Sequence, residues 1–450
     1  MLSIFFDLET TEENFVGQIL NYCFITVDEE WERHSSLCGD IKISPLQLPH
    51  PAAILANRTN VIKHQDNPQA LAEKDAMFEI ANYISTVIEE SKDRKVTLIG
   101  YNSTRFDIPY LRTSLIRNGF NPYFGGRIIY KDLLHTVRKV FCFDDTFPRT
   151  SAKEDSDLLS LSLQTITKSL KLLEGDQQHH SFADVELTIK LAHHLSHHFC
   201  CDVRTEETYL ATKWQCGDLG VEIVPNYDLT TSERTVSHPV LLFDNDYRYA
   251  LWIRLDKFKE NPTRAAITWI NKGQAAFFCR NDLVLDPEYI ELAKKAQEDL
   301  KGITLKNFFE DSTCDIEQDI YRLDISGIDL LNKAIQSDDI TPLREAPLKD
   351  AKILFLRYHL ANYDWTIGED ERMHNMLQKY AHYRYGGSLQ IKKIITDEKA
   401  EDNFYPTFEV LFAEIESVLN NPETTSADLE LMTALKEYYL QSEIKKALER

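Results

Sequence analysis

Apolar positions along the chain fall into three successive patterns. In the first 30 residues they alternate. Ile4, Phe6 and Leu8 share one side of an extended segment and Phe5, Asp7 and Glu9 the other, and β-rich character resumes from Ile19 to Val27 after a break at Gly17. Between 75 and 91 the period becomes helical, with Met77, Ile80, Ala81, Ile84, Val87 and Ile88 on one face. KVTLIGYN (95–102) reads as a short strand, and Ile108 to Asn118 as a helix closed by Gly119. Strands followed by alternating helix and strand predict an α/β domain over residues 1–200, a mixed sheet with helices packed on it. From 201 to 347 the pattern is mainly β: PVLLFDNDYRYALWIRL and AAITWINKGQAAFFC are strand-like, and DPEYIELAKKAQEDL is an inserted helix. SDDITPLREAP (337–347) has the composition of a linker, and 348–450 is helical, ending in two amphipathic runs split by NNPETTSAD.

A chain of 450 residues exceeds one ordinary core, consistent with two or three domains. No apolar run approaches the roughly 20 residues of a membrane span, so a cytoplasmic protein without membrane attachment is expected. Eight cysteines are scattered without a C-x-x-C pair, which predicts reduced thiols. The formal net charge of -22 argues against a polyanionic partner until its distribution is considered. Residues 1–200 carry 20 Lys+Arg against 27 Asp+Glu, so most of the acidity lies further on. Within 105–141 the sign reverses. Arg105, Arg112, Arg117, Arg127, Lys131, Arg138 and Lys139 face only Asp107 and Asp132, with Phe120, Tyr123, Phe124, Tyr130 and Phe141 interleaved. A cationic, aromatic segment on an acidic protein fits the backbone and bases of a single strand; its plainer reading is a helix with a solvated basic face.

FFDLET (5–10) places two carboxylates in what otherwise reads as buried sheet. In a strand Asp7 and Glu9 point the same way, about 6.5 Å apart along the backbone. An exposed face of an edge strand would explain them structurally, but acidic residues are depleted from strands and the flanking residues are apolar. Buried carboxylates need a counter-charge; no Lys or Arg lies near in sequence, and a bound metal would supply one. Asp107 follows the strand at 95–102 and Asp184 opens the helical ADVELTIKLAHHL, so each stands at an element end from which it can converge on the first strand. An Asp at a helix start is more often a cap.

Taken together, DLET (7–10), GYNSTRFD (100–107) and HHSFAD (179–184) resemble the three motifs of the four-acid, histidine-containing (DEDDh) 3'→5' exonuclease superfamily, and the GYNxxRFD form resembles bacterial exodeoxyribonuclease I. LPHPAAIL (48–55), ITWINKGQAAFF (267–278) and LRYHLANYDWTIGEDE (356–371) are also similar to pieces of that family's sequence, so the resemblance spans nearly the whole chain. It implies an RNase H-like exonuclease domain (1–200), an SH3-like β domain with a helical insert (201–347) and a C-terminal helical domain (348–450), the latter two closing a channel over the active site. It further implies two Mg²⁺ ions, replaceable by Mn²⁺, held by Asp7, Glu9, Asp107 and Asp184, with His179 as general base. The expected reaction is stepwise release of 5'-mononucleotides from single-stranded DNA by a monomer. The C-terminal tail of single-stranded-DNA-binding protein is an implied further partner, with Arg138 and Arg149 in the matching region. By placement beside the acids, Thr10, Asn102 and Arg105 are candidates for gripping the terminal nucleotide, and Arg112, Arg138, Tyr123 and Phe124 for the strand behind it. Arg357 and 383–394 would extend that groove.

Two departures from the family pattern stand out. His180 replaces an acidic residue beside His179, and Arg58 stands where the loop after PxxxxL usually has glycine. An exoribonuclease with the same acids, or an inactive module that binds DNA ends or a protein tail, are the alternatives. HHLSHHFCC (193–201) sets His193/His197 and His194/His198 at helical i, i+4 spacing beside Cys200 and Cys201, an arrangement able to ligate zinc but commoner as an exposed helix face.

Overall fold

The computed structural model describes residues 2–304, apart from 14–16, 45–46, 93–94, 105, 119, 121, 123, 154–155, 176–179, 206–214, 246–248, 272–276 and 280–285, together with 408–442 and 445. The expected linker at 337–347, the family-like stretch 356–371, Arg357 and 383–394 lie outside these residues.

The alternating start of the chain forms β1 (Ser3–Thr10), which pairs antiparallel with β2 (Ile19–Val27); β2 in turn pairs antiparallel with β3 (Arg33–Asp40). On its other side β1 runs parallel to β4 (Val96–Gly100), and β4 parallel to β5 (Ile128–Asp132). The order β3-β2-β1-β4-β5 makes this the expected mixed sheet, with β1 at its centre and not at an edge. Both faces of β1 are therefore covered. Ile4, Phe6 and Leu8 pack with Tyr22 and Phe24 beneath α3 (Glu73–Glu90) and α4 (Asp107–Arg117). Phe5 packs with Cys23, Ile25 and Ile99 against α5 (Leu133–Phe143) and α7 (Ser181–Phe199). Each such side chain contributes about 1.5–3 kcal/mol on burial. The short helices α1 (Pro51–Asn57), α2 (Val61–Gln65) and α6 (Leu163–Ser169) complete this part.

Reduced thiols were expected throughout, and the fold brings two of them, Cys23 and Cys38, into direct contact. They are direct cross-strand partners in β2 and β3, with Cα atoms 4.1 Å apart, a proximity that their separation of 15 residues conceals in the sequence.

A second sheet has the order β10-β6-β7-β8-β9 and is antiparallel throughout. Its strands are β6 (Leu219–Pro225), β7 (Thr235–Asn245), β8 (Tyr249–Arg254), β9 (Ile267–Asn271) and β10 (Phe277–Cys279). The helices α8 (Leu255–Glu260) and α9 (Pro287–Asp299) bury Phe258, Ala293 and Ala296 against it.

The two terminal amphipathic runs form α10 (Phe408–Asn420) and α11 (Ser426–Gln441). They return to the first part of the chain beside α1 and α2. The Tyr438 hydroxyl donates to the Gln47 carbonyl at 3.2 Å and that of Tyr439 to the Pro49 carbonyl at 2.7 Å, while Lys63 pairs with Glu430 at 2.9 Å. Arg58 caps α1 in the left-handed conformation (φ 57), which explains why glycine would suit the position; its guanidinium compensates by pairing with Asp428 on α11. No helix among the described residues is long and apolar enough to cross a membrane.

Candidate active site

The C-terminal ends of the parallel strands β1 and β4 lie side by side, the place where open α/β sheets commonly carry their sites. Period-two alternation puts Asp7 and Glu9 on the face of β1 that α7 covers. Beyond β4 the chain turns sharply at Gly100. A Cβ there would stand 2.5 Å from that of Ser103, so only glycine lets the 101–106 loop fold back so closely. The loop is held from β5: the Thr104 amide donates to Asp132 at 3.0 Å. It delivers Asp107 as the first residue of α4, 4% exposed, where its Oδ1 accepts the Leu8 amide at 3.1 Å. That bond ties α4 to the strand position between the other two acids.

Asp184 comes from the opposite side. His180 caps α7, its Nδ1 accepting the Phe182 amide at 3.4 Å, so the helix begins three residues earlier than its sequence suggests. Asp184 is therefore no cap. It lies within the first turn, buried, and faces β1. Ligand-capable oxygens of Asp7, Glu9 and Asp184 all lie within 4.8 Å of one another. Beside them a cleft of about 570 Å³ is lined by Asp184, Phe182 and Lys171.

Such a cluster cannot be fully ionised without help. Burial, then repulsion from Asp107, Glu9 and Asp184, holds the Asp7 carboxyl well above the usual range. Burial, then Asp184 and Asp107, raises Glu9 to about 8. Burial raises Asp107 to about 8 even though two backbone amides favour its charged form. Among the described residues no lysine or arginine figures in any of these environments. An all-oxygen donor set, partly buried and with carboxylates set against one another, fits a hard divalent ion. Asp7, Glu9 and Asp184 together could hold one.

The remaining predicted residues are placed unevenly. Thr10 is buried and its hydroxyl donates to the Glu12 carbonyl at 2.8 Å. Asn102 is exposed in the 101–106 loop with φ 55. Phe124 is partly buried against the sheet core, and Arg138 is partly buried on α5 near Asp132 and His135. Arg112, expected as an accessible cation, is only 3% exposed, within electrostatic reach of Tyr130, which puts it out of a phosphate's way in this structure. Lys131 likewise turns inward, donating to the Val203 carbonyl at 2.8 Å. Arg149 donates to the carbonyls of Thr231 and Asp228 at 2.6 and 2.7 Å, bracing the loop that precedes β7. Periodicity alone does not reveal this pair: Lys131 shares its side of β5 with Ile129, which is 42% exposed, and residues 107–115 of α4 are buried on every side. His179, Arg105 and Tyr123 lie outside the described residues. Sequence reasoning did not single out Gly100 or Asp132, which position Asp107; a glycine closing the apolar run of a strand and an Asp directly before a helix were the available signals.

The molecule is thus a multidomain α/β protein whose central strand and two helix starts bring four acids together. Its overall fold is that of exonuclease I. Exonuclease I from Methylocaldum szegediense superposes with a TM-score of 0.67 at 16% identity, covering 99% of both chains. Exonuclease I from E. coli in complex with a dA16 oligonucleotide gives 0.62 at 16% identity over 97% of this chain and 98% of that one, and its dT13 complex 0.64 at 15% over the same shares. No protein-family model matches the chain, and no curated protein matches it by sequence.

Proposed function

We propose that the chain is a metal-dependent 3'→5' exonuclease that degrades single-stranded DNA to 5'-mononucleotides. The observation that carries this reading is the convergence of Asp7, Glu9 and Asp184 within 4.8 Å, joined by Asp107, on a fold shared with exonuclease I. Two Mg²⁺ ions, or Mn²⁺ in their place, would neutralise the scissile phosphate and the leaving 3'-oxygen and acidify the attacking water.

The chain's own residues supply the rest. Asp7, Glu9, Asp107 and Asp184 hold the ions from a rigid strand and two helix starts, so little reorganisation accompanies the reaction. His179 accepts the proton of the attacking water, a general-base task that histidine side chains commonly perform. His180 is already engaged as the cap of α7, which favours His179 for the role. Thr10, Asn102 and Arg105 border the terminal nucleotide, Thr10 through its backbone because its hydroxyl is committed. Arg138, Tyr123 and Phe124 receive the strand behind it. Three parts serve this, 1–200, 201–347 as an SH3-like domain and 348–450, acting as a monomer in the cytoplasm. The tail of single-stranded-DNA-binding protein is a further partner in this reading.

Single strands labelled at the 3' or the 5' end, digested with Mg²⁺ and then with EDTA, test it. Immediate release of the 3' label as a mononucleotide, abolished by EDTA, is expected. Release of the 5' label first, activity in EDTA, or faster digestion of the matching RNA would overturn it. Within the active enzyme, His179→Ala should remove most activity and His180→Ala should not.

A further inference from the structure

At the far end of α7 from Asp184, four imidazoles form two close, tilted pairs that the proposed hydrolysis does not use. His193 and His197 have ring centroids 4.3 Å apart, and His194 and His198 have theirs 4.2 Å apart at an interplanar angle of 35°. One turn of helix brings residues i and i+4 onto the same face, and these rings have closed to contact. Two bonds of about 2.0–2.1 Å from one ion to two such rings require their nitrogens to be roughly 3.4 Å apart, which rotation of each ring can reach from this spacing.

The pairs differ in their surroundings. His193 packs against Trp31 at 5.3 Å, and the Arg204 guanidinium lies 3.7 Å over that indole. Arg204, although ion-paired with Asp202 at 2.8 Å, disfavours a proton on His193 and would disfavour a bound dication there too. Burial, then repulsion from His198, His193 and His197, lowers the His194 pKa, which favours the neutral ring that can donate a lone pair. His194 and His198 also approach the C-terminus of α7, which ends at Phe199. The carbonyls there carry partial negative charge and favour a cation. Among the described residues no third His, Cys, Asp or Glu completes the site, so water would fill the other positions.

We propose that His194 and His198 chelate a borderline transition-metal dication of the Zn²⁺ or Ni²⁺ class, at a site separate from the carboxylates. A two-imidazole site of this kind prefers nitrogen-seeking ions over Mg²⁺, so the two ends of α7 would select different metals.

Retention of the untagged full-length chain on immobilised Ni²⁺ tests this, because a resin-bound ion contacts surface histidines and not buried carboxylates. The wild type should be retained. His194→Gln/His198→Gln should elute at least several-fold earlier in an imidazole gradient, and His193→Gln/His197→Gln close to wild type. NiCl₂ should raise the melting temperature of the wild type more than that of the His194→Gln/His198→Gln variant, while the two melt alike in EDTA, which shows that the variant folds. Equal retention of His194→Gln/His198→Gln and wild type, or loss only in the His193→Gln/His197→Gln variant, would overturn the assignment.

Discussion

The two sheets each hold a cluster of partly buried ionisable groups, and the clusters are built on opposite electrostatic plans. In the second sheet Arg254 donates to both oxygens of Asp256 at 2.9 and 2.7 Å, and His238 meets the same carboxylate at 2.9 Å. Despite burial, these donors pull Asp256 down to about 2. In the first sheet Asp7, Glu9, Asp107 and Asp184 face one another, and Glu9 and Asp107 are pushed up to about 8. One cluster carries its counter-charge beside it, whereas among the described residues no cation is set against Asp7, Glu9 or Asp107. A self-compensated cluster serves the fold; an uncompensated one is retained at a cost to the fold, which points to function.

The largest expected effect lies in the uncompensated cluster. Asp107→Asn keeps size and the Leu8 contact but removes a carboxylate that the proposed function assigns to the metals, and on that reading should lower Mg²⁺-dependent hydrolysis by about 10³-fold or more. Without metal the same variant should be as stable as the wild type or more so, since it relieves repulsion. Activity assays and denaturant unfolding in EDTA check both halves; a marked loss of apo stability would break the contrast. In the second sheet the effects should invert. Arg254→Met strips Asp256 of its main partner and should destabilise by about 1–3 kcal/mol, leaving hydrolysis per folded molecule near wild type.

A smaller effect distinguishes the clusters by pH. The carboxyls of the first cluster are raised on folding, so the native state holds more protons than the unfolded chain above the ordinary carboxylate range. Stability of the metal-free protein should fall as pH rises from that range through about 8. Asp256 is lowered, so its contribution is present above the ordinary Asp range and is lost as pH falls toward about 2. Melting curves in EDTA at stepped pH should show the alkaline slope flattened in Asp7→Asn and the acid limb flattened in Asp256→Asn. The smallest effect is at the surface. Arg58→Gly loses the ion pair with Asp428 but relieves a left-handed backbone, two terms of about 1 kcal/mol or less that should nearly cancel in unfolding measurements.

The acids and most elements were legible because strong local signals mark them. Asp7 and Glu9 announce themselves by the phenylalanines and leucine around them, and the period-two to period-3.6 switch locates β1, β2, α3 and α4. By contrast, β3 was not read, since RHSSLCGD has few β-branched residues and is half exposed along its length. Pairing with β2 makes it a strand, and pairing is not a local property. The same limit hid the Cys23–Cys38 contact and the true start of α7. It also concealed the inward course of Arg112 and Lys131. A charge census counts cations but does not know which way they point, so the basic 105–141 stretch is a smaller accessible surface than its composition suggests.

On the proposed function, the first-sheet acids stay short of full ionisation until divalent cations bind. Calorimetric titration of Mn²⁺ into the metal-free protein, in buffers of different ionisation enthalpy near neutral pH, measures ion binding and proton release together. The account predicts two ions per chain with release of protons, and loss of both signals in Asp7→Asn. Binding that leaves the buffers' protons untouched, or that persists unchanged in Asp7→Asn, would contradict it.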